Sequence, residues 1–254
     1  MKPAAMTKDR LLQRRAGFSL VAMGVVAVLS LLLAPMELLQ PPSLRSGPLT
    51  FRGLTLINPL ILVLASVGLG SWLAPSVGLR APLVEALVSG HGAVAVLRRQ
   101  IVPALAAGLA TAVILYGYSL ISAPWFASTK MPNVPIPLVT KLLYGGIVEE
   151  LMTRWAVMTL LVWAGWRLAR RPATLPPAYY LVATLIAALV FAAGHLPLLF
   201  VLMPSPSASL VAAVILGNTL PGCLFGLLFW RRGLEAAMMA HAIAHLLFTL
   251  ATFG

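Results

Sequence analysis

Acidic side chains are scarce in this 254-residue chain: six Asp and Glu stand against 18 Lys and Arg, and only 9% of residues are charged. A further 60% are hydrophobic, and the mean hydropathy is +0.96. No soluble domain of this length buries that much apolar surface, so the composition excludes one and predicts an all-α integral membrane protein with its helices in one bundle. A single cysteine, Cys223, excludes an internal disulfide and says nothing about compartment. There is no repeat of about 20–50 residues, and no inverted repeat of the kind transporters carry. The net charge of +12 lies in short basic clusters between apolar runs. That distribution is a topology signal, and it argues against a nucleic-acid partner.

Apolar length predicts about seven spans. The first covers about 17–39; it follows the basic stretch Lys2 to Arg15, lacks a small-residue cleavage site, and is read as a retained span. A Pro/Ser/Gly-rich loop from Gln40 to Gly53, with Pro41-Pro42, leads to a second span at about 54–79. Residues 81–97, with Glu85 and His91, end at Arg98-Arg99 and read as an interfacial helix or hairpin. Span three is about 101–123, and a loop with Pro124, Pro132, Pro135 and Pro137 precedes span four at about 138–167. Arg170-Arg171-Pro172 breaks the chain before span five (about 178–196), Pro204 and Pro206 precede span six (about 208–230), and Arg231-Arg232-Gly233 turns into span seven (about 234–252). A cytoplasmic N-terminus places thirteen basic residues inside and leaves three outside, Arg45, Arg52 and Lys130. The positive-inside rule favours that orientation. Two parts are expected: residues 1–136, holding the N-terminal spans and interfacial helix, and residues 137–254, holding the functional core.

Two of the six acids stand side by side in span four, in Gly145-Gly146-Ile147-Val148-Glu149-Glu150-Leu151-Met152-Thr153-Arg154. An unpaired carboxylate at membrane depth is costly. On an α-helix Glu150 and Arg154 share a face one turn apart and can pair, while Glu149 points roughly 100° further round. One neutralised carboxylate beside a spare one is what proton chemistry in an apolar site needs. The bland alternative is an ion pair that only docks two spans.

Three of the four histidines also lie in membrane segments: His195 ends span five after Phe191-Ala192-Ala193-Gly194, and His241 and His245 share a face of span seven. Glu149 and the imidazoles have two physical uses. Glu149 acts as general base on a water while histidines share the proton and donate to an oxyanion. Alternatively Glu149, His195, His241 and His245 hold a divalent metal such as Zn²⁺. The His241/His245 spacing matches half of a zinc helix but lacks the glutamate of HExxH, and spacing alone leaves both uses open. Gly222-xxx-Gly226 reads as a packing seam, Asn218-Thr219-Leu220-Pro221 as a kink, and Cys223 as packing. Trp155, Trp163 and Trp166 read as packing and interface anchors, Glu235 as an anion at a helix start, and His91 as a surface residue.

Taken in order on spans four, five and seven, Glu149-Glu150-xxx-Arg154, Phe191-xxx-His195 and His241-xxx-His245 resemble the three motifs of the CPBP (Abi) intramembrane proteases, which include the type II CAAX prenyl endopeptidases. The resemblance covers roughly residues 138–250, and Trp230-Arg231-Arg232-Gly233-Leu234 at the end of span six is similar too. It implies that Glu149 activates water helped by His195, that Glu150 and Arg154 support the site by pairing, and that His241 binds or polarises the scissile carbonyl. His245 departs from the family's Asn or Asp; a neutral imidazole still donates one hydrogen bond, and it also enlarges the metal-ligand set. The family has been described both as metalloproteases and as metal-independent glutamic proteases.

The implied protein is an intramembrane endopeptidase of a prokaryotic cytoplasmic membrane. It acts on a membrane-anchored protein or peptide: a CAAX-like tail, a leader or a C-terminal sorting tail. The rival readings are a proton-coupled transporter and a non-catalytic scaffold or immunity protein. Counting about 1.5 Å per residue puts His241 near the cytoplasmic third, His195 toward the outside and Glu149 between them. Their convergence therefore requires tilted or kinked helices.

Overall fold

Long apolar stretches bounded by Pro and Gly dictate helices, and helices are what the chain forms. The computed structural model describes residues 3–39, 47–127 and 134–252. Lys2, Gln40, Pro41-Pro42, Arg45, Lys130 and Pro132 of the expected loops and basic clusters lie outside them. The helices are α1 (Pro3–Leu29), α2 (Pro48–Leu73), α3 (Pro82–Ser89), α4 (Ala93–Ala127), α5 (Leu138–Thr140), α6 (Thr159–Leu168), α7 (Pro177–Ala193), α8 (Leu196–Leu202), α9 (Ala208–Arg232) and α10 (Leu234–Thr252). Between α5 and α6 the chain continues as two π-helical segments, π1 (Lys141–Glu149) and π2 (Leu151–Met158). No strand occurs among the described residues.

Among the described residues six helices are long and apolar enough to cross a membrane: Leu11–Leu33, Thr50–Val77, Ala93–Phe126, Pro177–Leu202, Ala208–Arg232 and Leu234–Thr252. The remaining expected span, about 138–167, is the continuous run α5–π1–π2–α6, whose change of hydrogen-bond register divides it into short pieces. Arg98-Arg99 do not end an element. They lie inside α4, which starts eight residues before the expected span three at about 101 and carries the basic pair within its first two turns. Span five runs on past its expected end at 196: Gly194 and His195 make a turn between α7 and α8. Arg52 is inside α2, where both its Nε and Nη2 donate to Glu37 at 2.9 and 2.7 Å. That guanidinium holds the Glu37 carboxyl below the usual carboxylate range.

The π run is the centre of the bundle. α1 and α10 flank π1, while α2, α7 and α9 contact π2. Val148, Leu151, Met158 and Val162 are wholly buried along it, whereas Phe18, Trp72, Val102, Val113 and Ile121 project outward from the surrounding helices. An apolar exterior around a packed interior is the arrangement hydrocarbon solvent favours, because lipid leaves no reason to hide those side chains. Glu235 does more than meet a helix dipole. It is buried, and its carboxylate accepts from the Val84 N–H (2.7 Å) and the Gln100 amide (3.1 Å), tying α3 and α4 to the start of α10. Gly233 (φ 99°) supplies the left-handed turn between α9 and α10 that a side chain would resist. His91 is exposed on the surface, as its sequence context suggested.

Candidate active site

Everything in the site depends on where π1–π2 aims its carboxylates. π-helical turns are rare and concentrate at functional sites, since the wider i→i+5 turn re-aims side chains that an α-helix would point elsewhere. Glu150 and Arg154 pair as their spacing suggested, with Arg154 Nη1 donating to Glu150 Oε1 at 3.0 Å and both side chains sealed from solvent. The guanidinium has further partners. Nη1 also donates to Thr153 Oγ1 (2.6 Å), and Nη2 donates to the Gly222 carbonyl on α9 (2.8 Å). Phe191 and Phe225 stand 5.1 and 5.6 Å from its Cζ. This planar fork is thus held from two helices through Nη1 and Nη2 and set between two rings, with its buried Nε left without a partner, a task for arginine and not for lysine.

Glu150 has a second partner that spacing did not reveal. His241 on α10 donates Nδ1–H to the same Oε1 at 2.8 Å. A carboxylate only accepts, so Nδ1 carries the proton and Nε2 is the free nitrogen. His241 Nε2 faces Glu149 Oε2 at 3.7 Å, beyond direct hydrogen-bond range. The His241 ring is held flat, stacked on Phe225 (centroids 4.6 Å) on one contact and on His245 (4.9 Å) on another. Glu149 keeps a fifth of its side chain exposed, while Glu150 has none. The pair therefore divides: Glu150 is committed to Arg154 and His241, and Glu149 is spare.

His195 is half-buried, and its Nδ1 donates to the Phe191 carbonyl at 2.9 Å. The Phe191 ring contacts the rings of both His195 (4.7 Å) and His241 (6.1 Å), edge-on in each case. The structure thus gathers Glu149, Glu150, Arg154, His241 and His245 directly, and sets His195 one ring away. Gly145 makes this possible: a Cβ there would fall 2.6 Å from His245 Nε2 and 3.6 Å from His241 Nε2.

Residues 131–247 match the family model described as type II CAAX prenyl endopeptidase Rce1-like. This stretch is similar to that family. No curated protein and no solved structure matches the chain. The matched stretch contains π1, π2 and every motif residue named above. Thr153, Phe225, Gly145 and the Gly222 carbonyl also belong to its site. Gly222 was visible in the sequence as part of the Gly222-xxx-Gly226 seam, whereas Thr153, Phe225 and Gly145 carried no signal beyond their place beside the motifs.

Among the described residues no group of three His, Cys, Asp or Glu side chains is arranged to hold one ion. The Nδ1–H bond to Glu150 leaves His241 Nε2 free, facing Glu149. A cavity of about 710 Å³ lies elsewhere, between α1, α2, α3 and α4, and meets the π run at Trp155.

Gly222 carries both the seam and the arginine. A Cβ on it would lie 2.8 Å from Ala188 Cβ and 3.1 Å from Ala188 Cα, so backbone must move. Gly222→Ala is expected to destabilise the protein by about 1–3 kcal/mol through overpacking. Thermal unfolding in detergent reads this out, and an unchanged midpoint would show that α7 and α9 can separate freely.

Proposed function

We propose that this protein is an intramembrane endopeptidase that hydrolyses a peptide bond of a membrane-anchored protein or peptide, with Glu149 as the base. The Rce1-like match supports a CAAX-type protease. The observation that carries the chemistry is the division of labour between adjacent carboxylates, one locked to Arg154 and His241 and the other facing His241 Nε2 across 3.7 Å.

A water placed against Glu149 Oε2 and His241 Nε2, off their axis, is within reach of both groups. As its oxygen bonds to the scissile carbonyl carbon, its proton passes to Glu149. The carbonyl oxygen becomes an oxyanion, for which the His245 imidazole supplies an N–H donor. Collapse breaks the C–N bond, and the proton held by Glu149, relayed with help from His195, goes to the departing nitrogen. Glu150 positions the His241 ring throughout by holding Nδ1–H, and Phe225 and Phe191 prevent it from turning.

The test uses purified protein in lipid nanodiscs with a farnesylated peptide ending in a CAAX-like tail, monitored by mass spectrometry. Cleavage is expected with wild type and is expected to fall by about 10²-fold or more in His241→Ala, the range for removing one positioned donor or proton carrier. Intact peptide with wild type, or equal cleavage by the variant, would defeat this reading.

A further inference from the structure

The last turn of α9 carries Arg231 and Arg232, and α4 passes beside it at Arg99. These three arginines line a pocket of about 260 Å³, with Gln100, Pro82 and Val96 as its remaining walls. One wall is pinned in place, because Gln100 Nε2 donates to the Arg232 carbonyl at 2.8 Å and to Glu235 Oε2 at 3.1 Å. All three arginines are exposed, and among the described residues no carboxylate lies within ion-pair distance of any of them. The acids of neighbouring elements are already engaged, Glu85 by Arg80 and Glu235 by the Val84 N–H and Gln100. Like charges gathered without a countercharge repel one another, and an arriving anion relieves that repulsion.

The level of the pocket in the bundle narrows the choice of anion. Arg231 stacks over Trp230 (4.0 Å from Cζ to the ring centroid), and Trp230 stacks on Tyr180 (4.9 Å, 7° between planes), whose hydroxyl donates to the Val77 carbonyl at 2.8 Å. Arg167 over Trp163 (5.5 Å) and Arg171 over Trp166 (5.7 Å) repeat the arginine–tryptophan pairing around the end of α6. A belt of tryptophan, tyrosine and arginine sits at headgroup level in a bilayer. Beyond Arg99, α4 turns apolar, and Val102, Leu105 and Leu109 are exposed at spacings of three and four residues, one outward stripe. We infer that this pocket binds the phosphate of an anionic phospholipid between Arg99, Arg231 and Arg232, with an acyl chain lying along Val102, Leu105 and Leu109. Guanidinium forks match phosphate oxygens, and basic pockets between spans suit such headgroups. A soluble anion meets the same charges but leaves the stripe without a partner. The bound lipid bridges α4 to the turn that starts α10, the helix carrying His241 and His245. None of the pocket residues belongs to the candidate active site, so the pocket stands whether or not the chain cleaves peptides.

Native mass spectrometry of the whole chain in detergent tests this, with phosphatidylglycerol or phosphatidylcholine of identical acyl chains titrated in. Wild type is expected to bind phosphatidylglycerol roughly 10–100-fold more tightly, at about fivefold for each arginine that meets an anionic headgroup. The triple variant Arg99→Gln/Arg231→Gln/Arg232→Gln is expected to bind the two lipids about equally. A control with the same loss of charge, Arg14→Gln/Arg15→Gln/Arg170→Gln, alters three other exposed arginines and is expected to keep the preference. Equal affinity of wild type for the two lipids would overturn the inference, and that comparison needs no variant to fold. Loss of the preference in the control as well would replace the pocket with diffuse surface attraction. Glycerol phosphate and a tetraglutamate peptide, each at millimolar concentration, are expected to leave the lipid bound. Displacement by the first would reassign the pocket to a soluble phosphate, and displacement by the second to an acidic protein segment.

Discussion

Glu149→Gln is expected to lower kcat for the proposed peptide hydrolysis by roughly 10²–10⁴-fold, the range for removing a general base, with little change in KM. The substitution keeps the size of the side chain and removes only its ability to take a proton. Its fold cost is expected to be small for a reason visible in the packing. Glu149 is partly exposed, and among the described residues its side chain has no ion-pair partner closer than His241 at 3.7 Å, so no buried donor there loses its acceptor. Steady-state kinetics on the CAAX-like peptide, paired with thermal unfolding, check both halves. Activity within about threefold of wild type would mean that another group takes the proton, since no base-catalysed step survives loss of its base so lightly.

Arg154→Met has the largest expected effect on stability, about 3–5 kcal/mol, because it leaves a buried carboxylate without its countercharge. The arginine is fully buried and donates to Glu150, Thr153 and the Gly222 carbonyl, so one truncation strands acceptors on two helices. Arg154→Lys is expected to recover only part of the loss, since a point charge cannot serve three acceptors fixed in a plane. Combining Arg154→Met with Glu150→Gln removes the stranded charge, and the double variant is expected to be more stable than the sum of the singles implies. Denaturant titration in mixed micelles measures all four proteins. Strict additivity of the two singles would show that Glu150 and Arg154 are not coupled, contrary to their 3.0 Å contact.

The spans were readable because apolar length is a one-dimensional property. The expected ends of spans six and seven fall within two residues of α9 and α10. The Glu150–Arg154 pair and the shared face of His241 and His245 were readable for the same reason, since both are local to one helix. Arg98-Arg99 look, in sequence, like a boundary because a basic pair inside the first turns of a helix has the same composition as a basic loop. Long basic side chains are able to reach an interface while their backbone stays helical. Glu235 was read through its helix position alone, whereas its partners Val84 and Gln100 come from distant parts of the chain.

Sequence by itself determined that this chain is a bundle of apolar helices, which residues carry charge into it, and in what order they come. Those are consequences of hydropathy and spacing, and they hold whatever the helices later pack against. Only the tertiary structure decided which carboxylate is occupied and which is free. Glu149 and Glu150 are chemically identical neighbours, and their difference comes from α9 and α10, which bring the Gly222 carbonyl to Arg154 and the His241 imidazole to Glu150. The π turns made that choice possible by re-aiming both side chains, a backbone state held by packing against α10 at Gly145 and Gly146 and not by any propensity of the residues themselves.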